Sequence, residues 1–199
     1  EELMCIAIVA PAGKVVEPQT LVTCNSGNPD GAGFAYVKDG KVELSKGFFK
    51  IGEFIPAYQK IAEQYGKDNP MLIHFRIATE GKINKANCHP FRIKGGALIH
   101  NGMLWGTPGG LKAEFSDTRT FAARMHNELR YDVVKASIDE LTQAVKWNKL
   151  AMLYDNGEYV RIGKWYEDQG IWYSNENYLP WDTSRWTGRK STMPPSCDI

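Results

Sequence analysis

Apolar and polar positions along the chain fall into two periods, and the switches between them mark out the elements. Met4-Cys5-Ile6-Ala7-Ile8-Val9-Ala10 is an apolar run rich in β-branched residues, ended by Pro11-Ala12-Gly13, and it predicts a fully buried strand. Residues 13–18 predict a turn or loop, and residues 19–23 begin a short helix or strand. Turn residues crowd positions 25–33. They give way to a strand at 34–37, which Asp39-Gly40 joins to 41–45 as a two-residue hairpin. Between 52 and 66 the period lengthens. Phe54, Ile55, Tyr58, Ile61, Ala62 and Tyr65 recur at three and four, an amphipathic helix stopped at Gly66. Pro56 is expected in its first turn, where a missing N–H costs little. Residues 71–76 and 97–100 predict strands, the second entering the turn Asn101-Gly102. Ser116 predicts the cap of a helix reaching about residue 130, with Phe121, Ala122, Met125 and Leu129 on its apolar face. A second helix is expected over about 132–147. Residues 150–154 and 159–162 flank Asp155-Asn156-Gly157 as a hairpin, and 171–174 predicts the last strand. Strands in hairpins beside three helices, two of them consecutive, favour α+β over alternating βαβ.

Composition narrows the class. At 199 residues, with 43% hydrophobic and 24% charged residues, the chain suits one ordinary globular domain. A net charge of +1 argues against a nucleic-acid or membrane partner. No apolar run approaches a membrane span, and no basic segment precedes the first apolar stretch, so a cytoplasmic location is expected. Cys5, Cys24, Cys88 and Cys197 are widely spaced without a CxxC pair. Neither a metal site nor a disulfide scaffold is indicated, and no cofactor is expected. Residues from 180 onward lack periodicity and predict an irregular tail, with Trp181 and Trp186 as packing anchors or an interaction surface.

The candidate chemistry begins at Cys5. If the chain started there, one residue would carry a soft nucleophile and an α-amine base of pKa about 7.7–8.0. The plainer alternative is a small core hydrophobe. Polar clusters follow at later strand ends: His74-Phe75-Arg76-Ile77-Ala78-Thr79-Glu80-Gly81, continuing to Asn87-Cys88-His89-Pro90-Phe91; His100-Asn101-Gly102; and Ser116-Asp117-Thr118. Each has a structural alternative. Arg76 could be a surface ion-pair partner, Asn101-Gly102 an ordinary turn, and Asp117 an acid favouring a helix dipole. His89 and His100 could be structural hydrogen-bonders, and Asn28-Pro29-Asp30-Gly31 a simple loop.

Taken in order with Met4-Cys5, these segments resemble the glutaminase domain of class II (N-terminal nucleophile, Ntn-hydrolase) glutamine amidotransferases. That family carries an N-terminal Cys, HxRxAT, N-x-HP, HNG and SDT-like segments in the same sequence. The resemblance spans residues 5–121 and extends loosely to Ser174-Asn175-Glu176. It implies a four-layer α/β/β/α sandwich with mostly antiparallel sheets over 5–179. Residues 1–4 would be a propeptide, a native extension or a cloning remnant, and 180–199 the tail. It also implies that Cys5 attacks the side-chain amide of glutamine, that its own α-amine serves as base, and that a thioester forms. Asn101 and the Gly102 N–H would make the oxyanion hole. Arg76 would hold the α-carboxylate, Asp117 the α-ammonium, and Thr79 and His89 would complete the glutamine pocket. Ammonia would pass to a separate synthase or ligase protein, since no such domain is legible after the motifs. Hydrolysis of another γ-glutamyl amide, or glutamine binding without turnover, are the alternatives. Ile77 and Glu80 depart from the Trp and His of the sugar-phosphate amidotransferases. With Met4 attached, the Cys5 nitrogen is an amide, so the chain as written is expected to be inactive or immature.

Overall fold

The computed structural model describes residues 4–104 and 114–180. Its central strand is β1 (Ile6–Ala10), every residue of which is fully buried. Around it run α1 (Pro18–Gly27), β2 (Ala32–Lys38), β3 (Lys41–Phe48), α2 (Ile51–Tyr65) and β4 (Met71–Phe75). Then come β5 (Phe91–Ile93), β6 (Gly96–Asn101), α3 (Asp117–Arg124), α4 (Tyr131–Ala136) and α5 (Ile138–Ala144). The described chain closes with β7 (Lys149–Tyr154), β8 (Tyr159–Ile162), β9 (Tyr166–Asp168) and β10 (Ile171–Tyr173). One sheet has the order β3-β2-β4-β1-β10-β9 and the other β5-β6-β7-β8, with antiparallel pairing throughout.

Three apolar clusters define four layers, as expected for this α+β chain. Ile6, Ile8, Phe34, Ile73 and Phe75 face Leu21, Phe54, Tyr58 and Ala62 of α1 and α2. On the other face of the same strands, Ala7, Val9, Ala35 and Leu72 meet Ala97, Ile99, Ala151 and Leu153 of the second sheet. Leu98, Leu150 and Met152 then pack on Ala122, Leu129 and Val134 from the remaining helices and their connections. This is why β1 reads as a continuous apolar run: alternate residues serve different cores, and neither face meets water. Truncating Ile8 to Ala would cost about 2–5 kcal/mol, the usual range for a fully buried aliphatic.

Several expectations change. Residues 19–23 belong to a helix, α1, which starts at Pro18, where the missing N–H is harmless. Pro56 is not in the first turn of α2. It lies in the interior on an exposed face, where water can take the freed Gly52 carbonyl, while Phe54, Tyr58 and Ala62 hold the opposite face. Helix α3 stops at Arg124, and the expected second helix is two short ones broken at Ser137, whose ψ is 22°. Strands β5 and β9 have three residues each, too few to show a period. The Asp39-Gly40 turn has both φ positive, 50° and 71°, the geometry of a tight hairpin. Expectations for residues 1–3 and for the tail at 181–199 fall outside the described residues. Among the described residues no helix is long and apolar enough to cross a membrane.

Candidate active site

Cys5 stands one residue before β1, and the pairing Ile6↔Phe75 carries it to the end of β4. There the Ile77 N–H donates to Cys5 Sγ at 3.4 Å, and the thiol lies 3.4 Å from the Ile77 carbonyl. The end of β4 is fixed from the other side by the loop before β2. Arg76 N donates to Gly31 O, Asp30 N donates to Arg76 O, both at 2.9 Å, and Ala78 N donates to Asp30 Oδ2 at 2.8 Å. Gly31 has φ +124°, and a Cβ there would sit 2.4 Å from Cys88 Sγ. The Asn28–Gly31 segment is therefore a brace rather than a passive loop.

A narrow cavity of about 20 Å³ opens beside the thiol, lined among others by Cys5, Arg76, Thr79, His89, Gly102 and Asp117. That is room for about one water. Arg76 is 3% exposed, and its guanidinium already holds the backbone of the loop that follows: Nη2 donates to the carbonyls of Glu80 and Gly81, and Nη1 to that of Lys82. Asp117, at the start of α3, accepts from Leu104 N at 2.8 Å through Oδ2 and from Thr118 N through Oδ1. Ser116 caps the helix as expected, accepting from Arg119 N. Gly102 has φ +137° and lies so close to Asn148 that a Cβ would be 2.1 Å from its Oδ1. Asn101 does not line this cavity. Its carboxamide is buried and lies 2.9 Å from Ser174 Oγ.

The thiol is protonated at neutral pH. Burial pushes Cys5 up to about 11, against the pull of the Ile77 N–H and the Arg76 charge, with Asp117 adding to the rise. The three buried histidines are held neutral. Burial drives His74 down to about 3 and His89 well below the ordinary range, each aided by neighbouring positive groups. His74 Nε2 donates to the His100 carbonyl at 2.9 Å, and the rings of His74 and His89 stack with centroids 3.8 Å apart. Both His89 nitrogens lack a hydrogen-bond partner among the described residues. His100, lowered by burial, bridges Asn148 Oδ1 at 2.9 Å and Thr118 Oγ1 at 2.8 Å. Asn148 Nδ2 donates to Val145 O, which turns Oδ1 to His100 and places the ring proton on Nε2.

No family model matches the chain, and no curated protein matches it. Among solved structures it is similar to a glutamine aminotransferase class-II domain protein from Silicibacter pomeroyi. The two share 14% identity over 85% of this chain and 86% of that one, with a TM-score of 0.44.

The cavity thus gathers Cys5, Arg76, Thr79, His89, Gly102 and Asp117, and Asn101 is not among its lining residues. Such a set can present a thiol, a positive and a negative charge, and a backbone N–H to one small polar molecule. Sequence reasoning missed Asn148, which carries no motif and acts only through its contacts. It also gave no role to Ser174, whose hydroxyl accepts from Ala7 N at 2.9 Å. Asn175, next along, donates to the Cys5 carbonyl at 2.9 Å.

Proposed function

We propose that this protein hydrolyses the side-chain amide of glutamine through a Cys5 thioester and releases ammonia to a separate acceptor protein. The observation that carries this reading is convergence. Residues from segments scattered between Cys5 and Thr118 line one cavity, and they are the residues the ordered motifs single out. In the working form Cys5 is the first residue and its α-amine takes the thiol proton, which a buried thiol raised to about 11 cannot lose unaided. The sulfur bonds to the amide carbon, and the carbonyl electrons move to oxygen, met by the Gly102 N–H and the Asn101 carboxamide. Losing one such donor costs about 2.7–4 kcal/mol of transition-state stabilisation. The ammonium returns its proton to the departing nitrogen, and ammonia leaves. Water then opens the thioester to glutamate and restores the thiol.

Asp117 attracts the α-ammonium. Arg76 supplies positive charge to the α-carboxylate, and because both Nη2 protons are taken by loop carbonyls, its Nε and second Nη1 protons do the bonding. His89, neutral and without a partner, offers an acceptor or donor to the same ligand. Glutamine exceeds the present cavity, so its entry displaces the 77–82 segment that Arg76 holds. The test is a protein whose first residue is verified as Cys5 by intact mass, assayed for glutamate and ammonia. Release from the parent and none from Cys5→Ala is expected. No release from the verified parent overturns the proposal.

A further inference from the structure

Asn101 ends β6 on the same side as Ile99, two residues earlier, and so points into the layer between the sheets. One end of its carboxamide lies 2.9 Å from Ser174 Oγ, and the other end, Oδ1, is buried with no hydrogen-bond partner among the described residues. The Ser174 hydroxyl also accepts from Ala7 N at 2.9 Å. With Nδ2 turned to Ser174, the hydroxyl accepts twice and keeps a proton to place, while a buried carbonyl oxygen stays bare.

Rotating the carboxamide by 180° leaves every heavy atom in place, since the two ends differ only in hydrogens and hydrogen bonds. Ser174 O–H then donates to Oδ1, Ala7 N–H donates to Ser174 Oγ, and the NH2 group takes the position of the bare oxygen. An unmet buried donor is what an oxyanion site offers before its ligand arrives. We infer that Ser174 is a positioning residue that locks the Asn101 carboxamide with its NH2 turned away from Ser174 and available to the reacting oxygen. The same hydroxyl ties Asn101 to Ala7, two residues along β1 from the nucleophile, so it also fixes the spacing between attacking sulfur and oxyanion donor. This rests on the glutamine-hydrolysing reading above.

The experiment is a double-mutant cycle in the Cys5-first protein. Ser174→Ala lowers kcat about 10- to 100-fold, less than or equal to loss of the donor itself, with KM held within about twofold. In an Asn101→Ala background the same change lowers kcat by no more than about twofold, because the group it orients is gone. Ser174→Thr, which keeps the hydroxyl, recovers most of kcat. Equal losses in both backgrounds, or an unchanged kcat, overturn the inference. Should the parent release no glutamate, the functional reading fails, and the inference is judged by neutron diffraction of the deuterated protein. Deuterons on the Asn101 atom remote from Ser174 uphold the orientation; deuterons facing Ser174 overturn it.

Discussion

Stability should fall between pH 7 and 5, before any ordinary carboxylate titrates, because the site buries neutral histidines. His74 and His89 stack at 3.8 Å, each is under 5% exposed, and a charge on either would sit against the other ring and near Arg76. The unfolded chain binds protons at an ordinary pKa of about 6.5, whereas folded His74 resists until about 3 and His89 until well below its ordinary value. Below pH 6.5 the unfolded state therefore holds protons that the native state lacks. The stabilisation is present above 6.5 and is lost as pH falls towards the folded value. At pH 5 the difference for His74 is about 1.5 pH units, or about 2 kcal/mol at 1.36 kcal/mol per unit. His74 alone thus removes about 2 kcal/mol of a stability of about 5–15 kcal/mol, and buried His89 and His100, both lowered, add to the loss in the same direction. Urea unfolding followed by tryptophan fluorescence at pH 7.5, 6 and 5 measures it. His89→Gln, neutral across this range, should make the slope with pH shallower whatever it costs at pH 7.5. A free energy flat from pH 7.5 to 5 would refute the buried neutral pair.

Cys5, raised to about 11 from 9.0 while Met4 precedes it, should react with iodoacetamide at pH 8 about 100-fold more slowly than an ordinary thiol, read by peptide mass, with the rate still climbing beyond pH 9. A profile levelling near 9 contradicts the enclosure. Gly102→Ala drives a Cβ to 2.1 Å from Asn148 Oδ1 at φ +137°, and should lose about 1–3 kcal/mol of stability. An unchanged melting temperature would exclude that packing. Tyr58→Phe strips Val16 N of the hydroxyl that accepts it at 3.0 Å, an expected loss of about 1–3 kcal/mol in urea unfolding at pH 7. It should also flatten the alkaline decline, since burial raises the phenol from 10.0 to about 12 and that stabilisation is lost as pH climbs from 10 through 12.

The α+β class was legible because β1, β4 and β6 are apolar runs too short for helices and α2 carries a clear longer period, whereas the four-layer stacking was only what the family resemblance implied. What escaped notice was either too short or not periodic. Strands β5 and β9 have three residues each, and α4 and α5 are parted by a single residue, Ser137, that looks like any helical serine. Within the site, order along the chain exposed Cys5, Arg76, Gly102 and Asp117. Asn148 and Ser174 were invisible as contacts because their partners lie 48 and 73 residues away, and asparagine and serine are common in loops. The grip of Arg76 on three carbonyls could not be read at all, since every residue offers a carbonyl and only the path of the loop selects which are used.

The position of the cavity follows from strand direction. Because β1 runs antiparallel to both β4 and β10, its beginning lies beside their ends. Cys5 therefore meets Arg76 and Ile77 on one side and Ser174 and Asn175 on the other. The second sheet brings the end of β6 to the same place, with Asn101 crossing to Ser174 and His100 accepting from His74 through its carbonyl. Cys5 and Asn101 thus belong to different sheets. Their separation is set by the layer between those sheets, where Ala7, Ala35, Ala97 and Ala151 are all fully buried. Ladder hydrogen bonds hold each partner along its strand, and close packing of small side chains holds the sheets together. The reaction proposed above would depend on sub-ångström placement of sulfur against a developing oxyanion, and such a frame serves that need.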